Sequence, residues 1–299
     1  MIEKSGIFNQ QINALLPNNN YISEFLFYLF DTNFFKQLLI QQTHNTTVPI
    51  INKSKFSNIK IPLPPLEIQA KIVQECEEVE SKIANLNSEI LEFKNLIKAI
   101  LFKSKITTEN ISIQNELLND LPTPQNYGLS EWESVKLTNK DFILKIGKRV
   151  LDKDLTQDGI NVFSANVKEP FGKINKDLIK DFSLDSVLWG IDGDWMTGFV
   201  KANEPFYPTD HCGVLRSKSH KAKILEFALF EVGAKFGFSR QNRASIERIS
   251  NLTLSLPPLE AQEKIVKAIE FCEGEISNLN NELKTLENAT SKILKRELF

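Results

Sequence analysis

The amino-acid sequence predicts an α+β protein in which two long antiparallel helices form a coiled coil beside a β-rich unit and a partial second copy of that unit. Three observations carry this prediction. Leu63 to Lys103 opens on a Pro-Pro pair and then runs free of proline and glycine, with apolar residues in alternating steps of four and three. A stretch beginning at Leu256 repeats both the opening and the pattern. Segments before and between the two carry short apolar runs of strand length.

Residues 1–62 read as short strands at Gly6-Ile7-Phe8 and Ala14-Leu15-Leu16, then a helix from Ile22 to Leu39, then a strand at Ile59-Lys60-Ile61-Pro62-Leu63. The helix has an apolar face of Phe25, Leu26, Leu29, Phe30 and Phe34. The first long helix occupies residues 63–103. Its seam is Ile72, Cys76, Val79, Ile83, Leu86, Ile90, Phe93, Ile97 and Ile100. Proline lacks an N–H and fits a first helical turn, so Pro65 marks the start, with Glu67 on the positive end of the dipole. Residues 104–129 turn polar, contain Pro122 and Pro124, and read as a linker. Residues 130–255 form the complete unit. It opens at Trp132 and holds strand-like runs at Val162-Phe163-Ser164, Ser186 to Trp189 and Gly213 to Leu215, a helix from Ala222 to Phe236, and a strand from Leu252 to Leu256. Residues 256–299 form the second long helix, with its seam at Ile265, Ile269, Cys272, Ile276, Leu279, Leu283, Leu286 and Ile293. A helix with one apolar stripe is most simply satisfied by packing on its twin.

The repeat extends beyond the helices. Leu63-Pro64-Pro65-Leu66-Glu67-Ile68-Gln69 matches Leu256-Pro257-Pro258-Leu259-Glu260-Ala261-Gln262, and the short runs Lys71 to Val73 and Asn85 to Asn87 recur at Lys264 to Val266 and Asn278 to Asn280. Upstream, Asn9 to Leu15 aligns with Thr209 to Leu215, the helix of Phe25, Leu29 and Phe30 with that of Leu225, Leu229 and Phe230, and Ser57 to Ile59 with Ser250 to Leu252. Residues 1–62 therefore read as the second half of the unit that is whole at 130–255, with Met1 near the counterpart of Lys201.

Composition bounds the function. A chain of 299 residues, 41% apolar and 25% charged, is long enough for two or three units. The net charge of −2 gives no global sign of nucleic acid, although the unit at 130–255 between the helices carries a small excess of Lys and Arg and the first helix is acidic on its exposed faces. Three cysteines, two of them on seams, indicate reduced thiols in a cytoplasmic protein rather than a disulfide frame. No signal peptide and no apolar run of spanning length is found, so no membrane role is expected.

A β-rich unit that opens at Trp132, closes on a strand into Leu-Pro-Pro-Leu-Glu and continues as a long helix, the whole repeated, resembles the specificity (S) subunit of type I restriction–modification systems. The likeness covers nearly the entire chain. It implies a non-catalytic subunit with two target recognition domains held apart by two antiparallel helices. Each domain would read one half of a bipartite sequence in double-stranded DNA. The helices would act as a ruler and dock methyltransferase (M) subunits, with a restriction (R) subunit in the wider assembly. It also implies that S-adenosylmethionine and ATP belong to those partners, so no cofactor is expected here. The departure is the first unit, in which residues 130–200 have no counterpart.

Catalytic candidates are thin. There is no glycine-rich phosphate cradle and no Cys-x-x-Cys pair, and His44, His211 and His220 lack neighbours at metal-ligand spacing. Asp192 and Asp194 around Gly193, with Asp210, could hold a hard cation in a metal-dependent nuclease; the plain reading is a polar turn. Cys212 beside His211 suggests a nucleophile and base, but neighbours in a strand point to opposite faces. The stronger material is for DNA. Ser239, Arg240, Gln241, Asn242 and Arg243 form a loop between helix and strand, and Arg can bond guanine, Gln or Asn adenine, through two atoms at once. Lys145, Lys148 and Arg149 around Gly147 suit phosphates; Trp195, Lys201 and His211 are further candidates near the acidic turn. The rival reading is a coiled-coil scaffold or adaptor without DNA specificity. The apolar face of the first unit's helix, left without a complete domain, is expected to be sticky, recruiting a complementing chain or driving self-association.

Overall fold

The computed structural model describes residue 12 and residues 14–42 and 51–298. Its helices are α1 (Ser23–Asp31), α2 (Asn33–Gln42), α3 (Lys53–Ser57), α4 (Leu66–Lys103), α5 (Ala222–Lys235), α6 (Ile246–Ser250), α7 (Leu259–Leu286) and α8 (Ala289–Leu298). The strands are β1 (Glu133–Lys136), β2 (Phe142–Ile146), β3 (Ile160–Phe163), β4 (Gly172–Ile174), β5 (Ser186–Gly190), β6 (Thr197–Val200), β7 (Phe206–Pro208), β8 (Cys212–Ser217) and β9 (Thr253–Leu256). Two compact units divide the chain, Met1–Leu91 with Ile276–Phe299, and Glu92–Glu275.

In the first unit, α4 buries Ile72 and Cys76 against Phe25, Leu26 and Leu29 of α1 and Ile293 and Leu294 of α8. The helices run antiparallel, because Lys71 pairs with Glu297, Glu75 with Arg296 and Lys82 with Glu282. Gln69 of the Pro-Pro-Leu-Glu motif is buried. Its Oε1 accepts from Ile22 N at 2.8 Å, and its Nε2 donates to Asn20 O at 2.8 Å and Pro64 O at 2.9 Å. One amide thus satisfies the start of α1 and ties it to the start of α4.

The second unit surrounds an antiparallel sheet of order β2-β8-β5-β6, with a separate β4-β3-β7 sheet and a β1-β9 pair. Strands β5 and β8 lie at the centre and are buried along their whole length. Their period of two divides the apolar run between two cores. Val187, Trp189 and Leu215 face a cluster with α5, Leu96 and Ile100 of α4, and Ile265 and Ile269 of α7, while Leu188, Cys212 and Val214 face Val167 and Phe206. Gln262 repeats the role of Gln69. It accepts from Lys221 N at 2.8 Å, ahead of α5, and donates to Pro257 O at 2.7 Å and to His220 Nδ1 at 2.9 Å.

Several sequence expectations are corrected. The helix predicted from Ile22 to Leu39 is two helices. Thr32 Oγ1 donates to Leu29 O at 2.6 Å and accepts from Phe35 N at 3.2 Å, so one threonine closes α1 and opens α2. Ala14-Leu15-Leu16 is exposed and irregular, and Ile59 to Leu63 is no strand. Their counterparts β8 and β9 are held by β2, β5 and β1, for which the first unit has no equivalent among its described residues. The expected strand at Gly6-Ile7-Phe8 lies outside the described residues. Residues 104–129 do not form a free linker. Ile106, Leu118 and Leu121 are buried in the main core, and Trp132 Nε1 donates to Ser104 O at 2.6 Å. The second long helix breaks at Asn288, whose φ of 61° ends α7 before α8 begins. The face expected to be sticky is covered in part within its own unit. Phe25 and Leu29 are buried on α4 and α8 and Phe30 stacks on Phe35 at 4.2 Å, whereas Phe34, on α2, remains 39% exposed. The seam residues Ile72, Cys76, Leu86, Ile90, Ile265, Ile269 and Cys272 are buried, and Val79, Ile83, Phe93, Ile97, Ile276, Leu279, Leu283 and Leu286 are half-buried.

Candidate nucleic-acid interface

The Arg-rich loop is built from the end of α5. Gly237 takes a φ of 68°, the left-handed cap that lets the chain reverse. Phe238 then turns inward, beside Trp195 at 5.2 Å and under the Arg248 guanidinium at 4.9 Å. Ser239 and Asn242 exchange both backbone hydrogen bonds at 3.0 Å, leaving Arg240 and Gln241 as an exposed two-residue tip. The Asn242 amide donates to Phe236 O and Gly237 O, each at 3.0 Å, satisfying carbonyls orphaned at the helix end. On the return, Ala244 N donates to Ile191 O at 3.1 Å and Trp189 Nε1 to Ala244 O at 2.9 Å, joining the loop to the turn between β5 and β6.

That turn carries Asp192, which accepts from His211 Nδ1 and from the Nε and Nη2 of Arg243, the last at 2.9 Å. Partial burial alone pushes the Asp192 carboxyl upward, but the bonds and charges of His211 and Arg243 prevail and hold it below the ordinary carboxylate range. His211, with Asp210 Oδ1 at 3.9 Å from its Nε2, also lines a cleft of about 460 Å³ together with Arg149, Ser164, Phe171 and Thr209. Gly147 brings the second basic group to the same place. A Cβ there would lie 1.8 Å from Pro208 O, so only glycine admits this approach, and Lys148 N donates to Pro208 O at 3.2 Å. Lys145 is exposed on β2 beside Val214 of β8. A larger groove of about 800 Å³ follows the end of α4 and residues 110–119 and shares none of these side chains.

Lys148, Arg149, Asp210, His211, Asp192, Arg243 and the Arg240–Gln241 tip are thus brought to one edge of the unit. Two predicted readers are not. Lys201 follows β6 at the end of the hairpin remote from Asp192, just past the Ser186–Val200 pair. The Trp195 indole donates to Phe230 O at 2.8 Å and packs on Phe238, so it supports the loop rather than projecting from it. Asn242 likewise spends its amide on the backbone. Ser239 contributes its backbone to the turn. The sequence reading did not single out Phe236, which is 57% exposed beside the tip; an aromatic at a helix C-cap looks the same in sequence whether covered or bare. It read Asp192 as part of a polar turn or DNA-facing loop, or as a cation ligand, and not as the partner of Arg243 and His211. With Arg243 and His211 on its oxygens, the carboxylate is already neutralised, which opposes a divalent cation there. Among the described residues no group of three or more His, Cys, Asp or Glu side chains is arranged to hold a metal ion. Burial pushes the Cys212 thiol up to about 12 and the Cys76 and Cys272 thiols up to about 11, so all three are held as neutral thiols.

Comparison with known proteins places this architecture. The type I restriction enzyme MjaVIII specificity subunit of Methanocaldococcus jannaschii is 23% identical, over 97% of this chain and 73% of its own. The MjaIX specificity subunit of the same organism is also 23% identical, over 97% of this chain and 72% of its own. The S subunit of a type I restriction-modification system from M. genitalium superposes with a TM-score of 0.59 at 14% identity, covering 94% of this chain and 73% of that one, which shows a shared fold. The family model for the type I restriction modification DNA specificity domain matches residues 1–114 and again residues 129–288. The chain therefore belongs to the family of type I restriction–modification specificity subunits.

Proposed function

We propose that the chain is the DNA-recognition subunit of a cytoplasmic type I restriction–modification complex, with residues 130–255 as a complete target recognition domain that reads one half-site. Residues 1–62 correspond to the second half of a first such domain, and α4 and α7 dock methyltransferase subunits. The observation that supports the reading most directly is the tip at Arg240–Gln241. Both side chains are exposed on a turn closed by two backbone bonds and pinned at its base by Asn242. Arg240 has no carboxylate partner among the described residues. Such a tip can offer a bidentate donor pair to guanine and a donor and acceptor to adenine without first paying to order its backbone. Lys145, Lys148 and Arg149 then sit on phosphates, which set register and supply a salt-dependent affinity. Catalysis belongs to the partner subunits, with S-adenosylmethionine and ATP bound there. Among the described residues no helix is long and apolar enough to cross a membrane.

The test is selection of a duplex from a randomised pool by the full chain, followed by salt-titrated binding. Arg240→Ala is expected to relax preference at one base pair by about 1–3 kcal/mol, while Lys148→Ala weakens all duplexes alike and lowers the salt slope by about one. A chain that enriches no sequence from the pool would refute the reading.

A further inference from the structure

A carboxylate on a face that must approach phosphates repels them, so Asp192 works against the affinity that its basic neighbours provide. Resting on the DNA-recognition reading, we propose that Asp192 is a positioning residue. It holds Arg243 and His211, and through Arg243 it fixes the Arg240–Gln241 tip in the one orientation that discriminates between base pairs.

The argument is one of anchors. The tip has a helix-side anchor in Asn242, whose amide is bound to the end of α5. Its sheet-side anchor is Arg243, the next residue, whose Nε and Nη2 both reach Asp192. An arginine held through two atoms of its fork is restrained in direction as well as distance. The carboxylate is itself restrained, because His211, from the turn between β7 and β8, bonds the same group. Three loops that are remote in sequence thus meet on one side chain. The pairing also neutralises Arg243 and leaves Arg240 as the cation of the tip without a carboxylate partner among the described residues. Removing the Asp192 charge frees Arg243 to meet phosphates and leaves the tip with one anchor. Non-specific attraction then holds or grows while discrimination falls, a pair of opposite changes that loss of folding cannot produce.

The full chain is titrated with the duplex it enriches from a randomised pool and with a scrambled duplex of equal length. Asp192→Asn is expected to keep or raise affinity for the scrambled duplex and to lower the preferred-to-scrambled ratio about tenfold. Arg243→Gln, which changes the exposed partner and so tests the clasp should Asp192→Asn fold poorly, is expected to lower the ratio similarly with an unchanged salt slope. The double variant is expected to lose no more than either single one. Three results overturn the proposal: a wild-type ratio in a folded Asp192→Asn, a salt slope reduced by about one in Arg243→Gln, which marks a direct phosphate contact, or additive losses. Wild-type protein without preference refutes the DNA-recognition reading itself, whereas wild-type preference with unaffected variants refutes the clasp alone.

Discussion

At the scale of the residue, the glutamine of each Pro-Pro-Leu-Glu motif explains why that motif recurs. Gln262 is buried and makes three polar contacts, to Lys221 N, Pro257 O and His220 Nδ1. Gln262→Ala leaves a partly buried N–H and a buried carbonyl without this partner, and a loss of about 2–4 kcal/mol is expected in denaturant unfolding. His220 adds a pH dependence. Half-burial holds its pKa below 6.5, more than offsetting the attraction of Asp141 and Glu133, and its Nδ1 accepts from Gln262 only when neutral. The unfolded chain takes up the proton first, so this stability is present above the ordinary histidine pKa and is lost as pH falls through it toward the lower folded value. Denaturation midpoints of the wild-type chain are therefore expected to fall between about pH 7 and pH 5, and those of His220→Asn to fall less. None of these bonds is visible in the motif itself. The sequence shows that glutamine stands at the same place twice, but its partners at Ile22 and Lys221 are 47 and 41 residues away.

At the scale of the element, long periodic pieces were legible and short capped ones were not. The heptad spacing and Pro65 placed α4 within a few residues, because a one-sided apolar stripe over many turns has few other solutions. The five-residue helices α3 and α6 carry no such pattern. They stand on single caps, Asn52 accepting from Lys55 N at 2.9 Å and Ser245 accepting from Arg248 N at 3.4 Å. Thr32 is the same kind of feature in the middle of an apolar run. Thr32→Ala removes a bond at each helix end and is expected to cost about 1–2 kcal/mol. Asn288→Val places a β-branched residue at positive φ, with an expected cost of about 1–2 kcal/mol, whereas Asn288→Gly is expected to be nearly neutral. Thermal melts of the three variants separate these outcomes.

At the scale of the molecule, each unit has its own core, and the exposed ion pairs along its helices matter less than the seam. Lys82 and Glu282 are about half exposed, so Lys82→Gln is expected to cost well under 1 kcal/mol. Ile72→Ala and Ile269→Ala each empty a fully buried site, with expected losses of about 2–5 kcal/mol. Hydrogen exchange distinguishes them. Ile72→Ala is expected to loosen α1 and α8 while β5 and β8 stay protected, and Ile269→Ala the reverse.

The sequence by itself determined the repeat, the two long helices, the central strands and the family, since these rest on periodicity, proline placement and motif, all of which are local or recur along the chain. Only the tertiary structure decided that Asp192 meets His211 and Arg243, that Asn242 and Trp195 brace the loop while Arg240 and Gln241 project, and that Lys201 stands apart. Those outcomes depend on which loops the sheet order β2-β8-β5-β6 brings to one edge, and strand order is set by burial and pairing between distant segments rather than by the letters beside them.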